Sequence, residues 1–424
     1  MLQVITSAWS LLLGMGLLMI GNGLQGTILG VRGEIEGFST LQMSVVMSAY
    51  FVGFLGGSRL APEMIRRVGH VRVFAALASF ISAVMIMYPM LTEPVAWALG
   101  RVVIGFCFSG VYVTAESWLN NAANNENRGQ ALSLYMIVQM TGIITAQGLM
   151  LVGDPAGYET FVIASILVSV SFAPILLSIS PTPAFDTTKP MTLRELMGKS
   201  PLGCVGMFLL GGVFSAQFGM SAVYGARAGL TLVEISTFVA AFYVGAILLQ
   251  YPLGWFSDRM DRRFLIMLAG IIGACGAATA MMFGSTSFPF LLASAFVIGG
   301  MSNPLYSLLI AHTNDFLEHE DMAAASGGLV FINGLGAIAG PLITGWLMGD
   351  DVFGPSGFFL IILALLAATA VYAMYRMTQR AAIPVDETGK MSPLYPTASP
   401  VAFELAQEVA IEAAEADQET QDVA

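Results

Sequence analysis

The sequence predicts an all-α membrane protein in which twelve transmembrane helices form two pseudo-symmetric six-helix bundles. Its composition, the placement of its basic residues and an internal repeat carry that prediction. Of 424 residues, 56% are apolar and only 11% are charged, and the mean hydropathy is +0.76, whereas soluble domains carry roughly 25% charged residues. At about 20 residues per crossing of an apolar layer about 30 Å thick, the chain has room for a dozen crossings joined by short loops.

Apolar windows of about 19 residues, bounded by charges, prolines or glycine clusters, fall in order at 6 to 31, 41 to 60, 72 to 91, 95 to 119, 129 to 152, 158 to 179, 202 to 225, 235 to 256, 263 to 284, 288 to 312, 322 to 348 and 355 to 375. No basic residue precedes the first window, so it is expected to be a mature helix and not a cleaved signal peptide. Pro62 to His70 separates the second from the third. Arg128-Gly129 opens the fifth. Gly254 to Arg263 divides the eighth from the ninth. Prolines 181, 183 and 190, followed by Thr192-Leu193-Arg194-Glu195-Leu196, interrupt the pattern midway and mark residues 181–200 as a linker between six spans and six. The expected units are therefore 1–180, the linker 181–200, 201–378 and a tail from 379 to 424.

Cytoplasmic flanks retain Lys and Arg during insertion. With the N-terminus inside, fourteen of the seventeen basic residues fall on one side: Arg59, Arg66, Arg67, Arg72, Arg128, Lys189, Arg194, Lys199, Arg259, Arg262, Arg263, Arg376, Arg380 and Lys390. Arg32 and Arg227 fall outside, and Arg101 lies within a span. This bias fits an even number of crossings and two cytoplasmic termini in a bacterial-type inner membrane.

Sliding the second half on the first by 192 positions aligns Val52-Gly53 with Val244-Gly245, Arg67 with Arg259, Gln25 with Gln217, and Gly142, Gly148 and Gly153 with Gly334, Gly340 and Gly345. A slide of 194 aligns Gly105, Tyr112 and Asn120 with Gly299, Tyr306 and Asn314. Agreement along several spans points to a duplicated six-helix unit, a construction common among secondary transporters.

The net charge of -11 is concentrated near the C-terminus, where from Ala381 to Ala424 nine acids face Lys390 alone, so the remainder carries only -3. The tail, with prolines 384, 393, 396 and 400, is expected to be disordered apart from a short helix suggested by Val401, Leu405 and Val409. Cys107, Cys204 and Cys275 stand singly in apolar runs and read as small core residues, without the spacing of metal ligands. Nucleic-acid binding is not expected, because basic residues are few and no stacking platform accompanies them. No nucleotide-cradling loop or clustered Cys, His and carboxylate set appears, so neither an enzyme, a cofactor nor a metal is expected.

After span 8 the chain reads Gly254-Trp255-Phe256-Ser257-Asp258-Arg259-Met260-Asp261-Arg262-Arg263. This resembles the signature loop of the major facilitator superfamily, approximately G-x-L-A-D-R-x-G-R-R, with Asp261 at the second glycine. The loop after span 2 keeps Arg67 and Gly69 but carries Arg66 where that family usually has its aspartate. An aspartate at a helix end can face a neighbouring N-terminus while arginines bridge to other helices. Contacts of this kind, present in one state and broken in another, bias a conformational equilibrium. Span 4 resembles the family's R-x-x-x-G pattern through Arg101 and Gly105, and a buried arginine there requires water or an acceptor. Glu116 with Arg128-Gly129 resembles the arrangement of sugar-porter-like members. It implies that Glu116 pairs with Arg67 or Arg128, and that Asp315 pairs with Arg259 or Arg263, as gates; Glu116 as a proton carrier is the rival reading. Arg32 and Arg227 match at the ends of spans 1 and 7, where Glu34, Glu36 or Glu234 could complete an outer gate. His312 reads as an interfacial histidine.

Mid-depth polar groups mark a substrate cavity: Asn22, Gln25, Arg101, Tyr112, Gln139, Gln217, Asn303, Tyr306 and Asn333. Amides also join helices in lipid, which is the alternative for each. None of the amide positions is charged, which leans toward a neutral or weakly polar solute. The resemblance implies a secondary active transporter moving one small solute by alternating access, with a proton as the candidate coupling ion, lipid as its surroundings and a monomer as its assembly. A transport-inactive sensor of the same fold and an uncoupled facilitator are the alternatives.

Overall fold

The computed structural model describes residues 2–122, 128–177, 191–385, 388–389, 391–392, 394, 399–403 and 406. Among the described residues, twelve helices are long and apolar enough to cross a membrane, and we number them spans 1 to 12: Ala8–Ile35, Thr40–Val68, His70–Met90, Pro94–Asn120, Gly129–Leu149, Glu159–Leu177, Pro201–Arg227, Leu232–Ser257, Arg262–Phe283, Phe288–Asn314, Ala324–Leu347 and Gly354–Gln379. Among the described residues there is no strand. Backbone polar groups have no water to bond with in lipid, so helices, which satisfy them internally, are the available spanning form.

Two helix starts repeat the same chemistry. Ser39 caps span 2 in a capping box with Gln42, and Thr231 caps span 8 in a capping box with Glu234. Both members of each box lie 192 positions apart, the offset at which the two halves of the sequence align. The turn into span 3 passes through Gly69 at φ +86°, a conformation that suits a residue without Cβ. At the matching turn into span 9, Asp261 replaces it with a negative φ, and its carboxylate accepts the backbone N–H of Arg263 at 2.9 Å.

The packing repeats as well. In the first half, a Cβ on Gly105 would collide with the carbonyl oxygen of Tyr50, and one on Gly53 with that of Val102, so spans 2 and 4 touch backbone to backbone. In the second half Gly299 meets the Phe242 carbonyl and Gly245 meets that of Phe296, which brings spans 8 and 10 together in the same manner. Spans 1 and 5 approach through Gly23 and Gly142, and spans 7 and 11 through Gly211 and Gly336. Without a hydrophobic drive between helices inside lipid, such small-residue contacts let dispersion and weak hydrogen bonds hold the bundle. The halves then meet along spans 2 and 11, 5 and 8, and 1 and 7.

Three local features differ from the sequence expectation. Span 7 is not one regular helix: residues Ala216–Met220 form a π-helical turn that includes Gln217. Cys275, expected in the core, is exposed on span 9, where it faces a groove shared with span 12. The groove, lined by Met267, Ile271, Ala274 and Leu363, gives a thiol apolar surroundings much as a core does. The tail, expected to be disordered apart from a short helix near Val401, is packed in part: residues 400–403 are helical, and Leu394, Ala402 and Phe403 are buried, whereas residues 380–382 and 389 are exposed, and Leu405 and Val409 lie outside the described residues. Burial of these apolar side chains offsets the entropy of ordering them. Residues 407–424, with most of the tail acids, and residues 178–190 of the linker lie outside the described residues.

Candidate functional site

Between the two halves lies a polar pocket of about 70 Å³, lined from the first half by Asn22, Thr27, Tyr50, Arg101, Tyr112 and Gln147 and from the second by Phe218, Gly219, Val239 and Tyr243. Its volume holds a few waters and is well below the roughly 300–1,000 Å³ of typical ligand sites. A drug-sized molecule does not fit a cavity of this volume. Arg101 supplies its only charge among the lining residues. The guanidinium lies over the Tyr50 ring, 4.7 Å from its centroid. Its Nε has no hydrogen-bond partner, and Arg101 enters none of the ion pairs among the described residues. A cation–π contact is worth up to about 2 kcal/mol when desolvated, which falls short of the several kcal/mol that burying a charge requires. The site thus presents a positive group in want of an acceptor.

Around it, Thr27 donates to Gln147 Oε1 at 3.0 Å, fixing spans 1 and 5, and Asn22 approaches the Tyr112 hydroxyl at 3.5 Å. Gln25 is fully buried, and neither atom of its amide has a partner. The π-turn of span 7 aims Phe218 and Gly219 into the pocket, and Phe218 stacks on Tyr243 with ring centroids 5.2 Å apart. Mid-helix π-turns recur at functional sites because they rotate side chains out of the α-helical register.

At the end away from the signature loop the halves are in contact. Gly30 of span 1 abuts Ala222 of span 7, and Gly345 of span 11 abuts Ser44 of span 2. Arg227 bonds Asp350 at 2.6 Å and stands 4.0 Å from Glu34 across the interface. Arg32 instead pairs with Glu36 on its own helix at 2.6 Å and donates to the carbonyls of Pro155, Ala156 and Gly157. Glu234, the remaining candidate for this gate, caps its own helix.

The basic end redistributes the expected partners. Arg66 and Arg67 both pair with Glu63, four residues or fewer away on the same helix, because a surface i,i+3 or i,i+4 partner is the nearest available. Glu116 therefore does not pair with Arg67; one of its carboxylate oxygens accepts the N–H of Ser399 at 2.9 Å, and the other faces the Tyr135 hydroxyl at 3.4 Å. The Arg128 side chain lies outside the described residues. Asp315 pairs with neither Arg259 nor Arg263 but with Arg262, which is also held by the Ala311 carbonyl and Ser257 hydroxyl, both at 3.2 Å. Span 9 buries both Arg262 and Arg263, and Arg262 is the one that reaches Asp315. Burial pushes the Asp315 carboxyl above its ordinary range against the opposing pull of Arg262. Arg263 is taken by Asp261 at 2.7 Å and by the Arg380 carbonyl at 2.7 Å. Burial alone would raise the Asp261 carboxyl, but the hydrogen bonds from Arg263 outweigh it and hold it below the usual range. Arg259 stacks over Trp255 at 4.1 Å. Asp258 lies 4.0 Å from Arg262 and accepts the N–H of Met391, and Gly254 packs near Met391.

Breaking the Arg262–Asp315 pair from the basic side should strand a buried carboxylate, a loss of about 3–5 kcal/mol. Arg262→Gln is expected to lower the thermal midpoint in detergent sharply, and adding Asp315→Asn should restore part of it. Equal midpoints for the single and double variants would mean that the pair carries no coupling.

Of the expected cavity residues, Asn22, Arg101 and Tyr112 line the pocket, and Gln25 is buried in the same span as Asn22. Gln217 exchanges hydrogen bonds with Ser302, at 3.0 and 3.2 Å, joining spans 7 and 10. Asn333 donates to the Met207 carbonyl at 3.0 Å, and Asn303 to Gly299 in its own helix at 3.1 Å. Gln139 is buried with an unpartnered Oε1. Tyr306 lies edge-on to Phe403 of the tail. Tyr50, Thr27, Gln147, Phe218 and Tyr243 are further lining residues that sequence reasoning does not single out. Gln147, an amide eight residues beyond Gln139 in span 5, is visible in the sequence as a polar group at depth.

The family described as the Major Facilitator Superfamily has a model that matches residues 11–237 and 202–406. A protein of Escherichia coli O6:K15:H31 (strain 536 / UPEC), the uncharacterized MFS-type transporter YcaD, is 26% identical over 359 residues, covering 83% of this chain and 91% of that protein. Among solved structures, the nucleoside transporter NupG superposes with a TM-score of 0.71 at 15% identity, over 88% of this chain and 100% of that one. A D-xylose-proton symporter gives 0.68 at 14% identity, over 87% and 97%. An inward-facing, unoccupied bacterial homolog of the human lysosomal transporter Spinster gives 0.67 at 15%, over 97% and 98%.

Proposed function

Since the chain belongs to the major facilitator superfamily, we propose that it is a secondary active transporter that carries a small anionic solute by alternating access, with Arg101 as the group that holds the anion. The units 1–180 and 201–378 rock against each other about the pocket. The basic end lies in the cytoplasm with both termini, and the protein resides in the bacterial-type inner membrane. One observation carries the solute class: a buried guanidinium without a carboxylate partner, in a pocket with no acidic lining residue. A carboxylate or comparable oxyanion satisfies such a guanidinium in a bidentate fork. This revises the lean toward a neutral solute, which rested on the amides, because three of those amides join helices or bond within one in the structure. The Tyr50, Phe218 and Tyr243 rings favour an apolar or planar body behind the charged group.

Proton coupling rests on Glu116, a buried carboxylic acid near the basic end that faces Tyr135. A thermal-shift panel pairing small carboxylates with their amides, followed by counterflow in proteoliposomes, tests the whole reading. We expect the carboxylates to stabilise the protein by mass action and the hits to exchange across the membrane. Glu116→Gln should keep counterflow but lose accumulation driven by an inward proton gradient. Saturable binding without any exchange would replace the carrier with a sensor; stabilisation by amides alone would remove the anion.

A further inference from the structure

We propose that the basic end of the bundle holds a peptide-binding site and that its occupant is the chain's own C-terminal segment, whose described residues between Gly389 and Ala406 plug that end. The segment is held by its backbone at three places on both halves. Asp258 accepts the N–H of Met391 at 2.9 Å, and Arg262 donates to the Gly389 carbonyl. Ser307 of span 10 grips Leu394 twice, accepting its N–H at 2.8 Å and donating to its carbonyl at 3.2 Å. Glu116 of span 4 accepts the N–H of Ser399 at 2.9 Å. Backbone bonds of this kind supply affinity for an extended segment, while side-chain pockets choose the sequence.

Two side chains fill such pockets. Phe403 is 0% exposed and meets Tyr306 edge-on at 5.8 Å, and Leu394 is 2% exposed. Met391 also walls a cavity of about 450 Å³ between spans 5 and 8. Span 4 belongs to the first half and spans 8 to 10 to the second, so the segment ties the halves together where alternating access needs them to part. Tethering keeps its effective concentration near the millimolar range of short flexible linkers. Release of the segment and opening of that end are then one event. The proposal goes beyond the transport reading and does not depend on which solute is carried.

The test uses the full chain with its three cysteines replaced by serine. In that background Ser399→Cys places a thiol on the seated segment, and Ala382→Cys places one at an exposed position as reference. We expect a soluble maleimide to label the Ser399→Cys variant at least tenfold more slowly than the Ala382→Cys variant, and Leu394→Asp with Phe403→Asp to abolish that protection. A second pair, Ser307→Cys with Leu394→Cys, should yield a 307–394 cross-linked peptide by mass spectrometry under mild oxidation. Equal labelling at positions 399 and 382, or protection at position 399 without the cross-link, would overturn the proposal.

Discussion

Arg101→Gln is expected to reduce counterflow of any anionic solute by about thirtyfold or more while leaving the thermal midpoint of the protein unchanged or higher. The two halves of this expectation have separate physical grounds. A charged hydrogen-bonded pair at a buried site is worth about 2–5 kcal/mol when one partner is deleted, which is a factor of roughly 30 to several thousand. In the structure the same guanidinium stands over Tyr50 with an unpartnered Nε, so a neutral amide removes a charge without a carboxylate partner. A merely structural arginine would give the opposite sign in the melt. Arg101→Lys keeps the charge but loses the planar fork and should fall between, by about tenfold. Normal transport by Arg101→Gln would sink the assignment of the pocket.

The second large effect concerns the fold. Gly105→Val and Gly299→Val should each destabilise the protein by on the order of 4 kcal/mol and by similar amounts, since each forces a side chain into a carbonyl of the neighbouring helix, Tyr50 or Phe242. Fluorescence-detected gel filtration and thermal melts check this, with Gly148→Ala, which has open space at its Cβ, as the neutral control. Unequal losses would show that the halves, though alike in contact pattern, do not share the load.

The glycine pairs also show what is legible in the sequence. Gly53, Gly105, Gly245 and Gly299 are visible as a repeat, and the structure explains why they repeat: they are the points where backbones touch. Arg101 is legible because a charge inside a span is expensive wherever it sits. Pairing at the basic end is not legible. Arg66, Arg67, Arg259, Arg262 and Arg263 crowd into two short turns, and the residue each one bonds depends on helix rotation that composition does not encode. Thus Asp315 meets Arg262 and not the equally buried Arg263, and Arg67 settles on Glu63. The sequence is enough to put Glu116 near a helix end, but its main partner is a backbone N–H 283 residues away. The seat of the tail does not follow from its proline-rich, acidic composition, although apolar residues such as Leu394, Val401 and Phe403 in such a run hint at it.

The order of synthesis gives the seated segment a further meaning. It follows every span along the chain, so a ribosome finishes all twelve helices before the residues around Phe403 leave its tunnel. While the segment is still in the tunnel, the two halves dock without the contacts it makes to Asp258, Ser307 and Glu116. On the proposed seating, closure of the basic end follows insertion of the twelve spans, and a nascent chain stalled near Gln379 is expected to keep that end open.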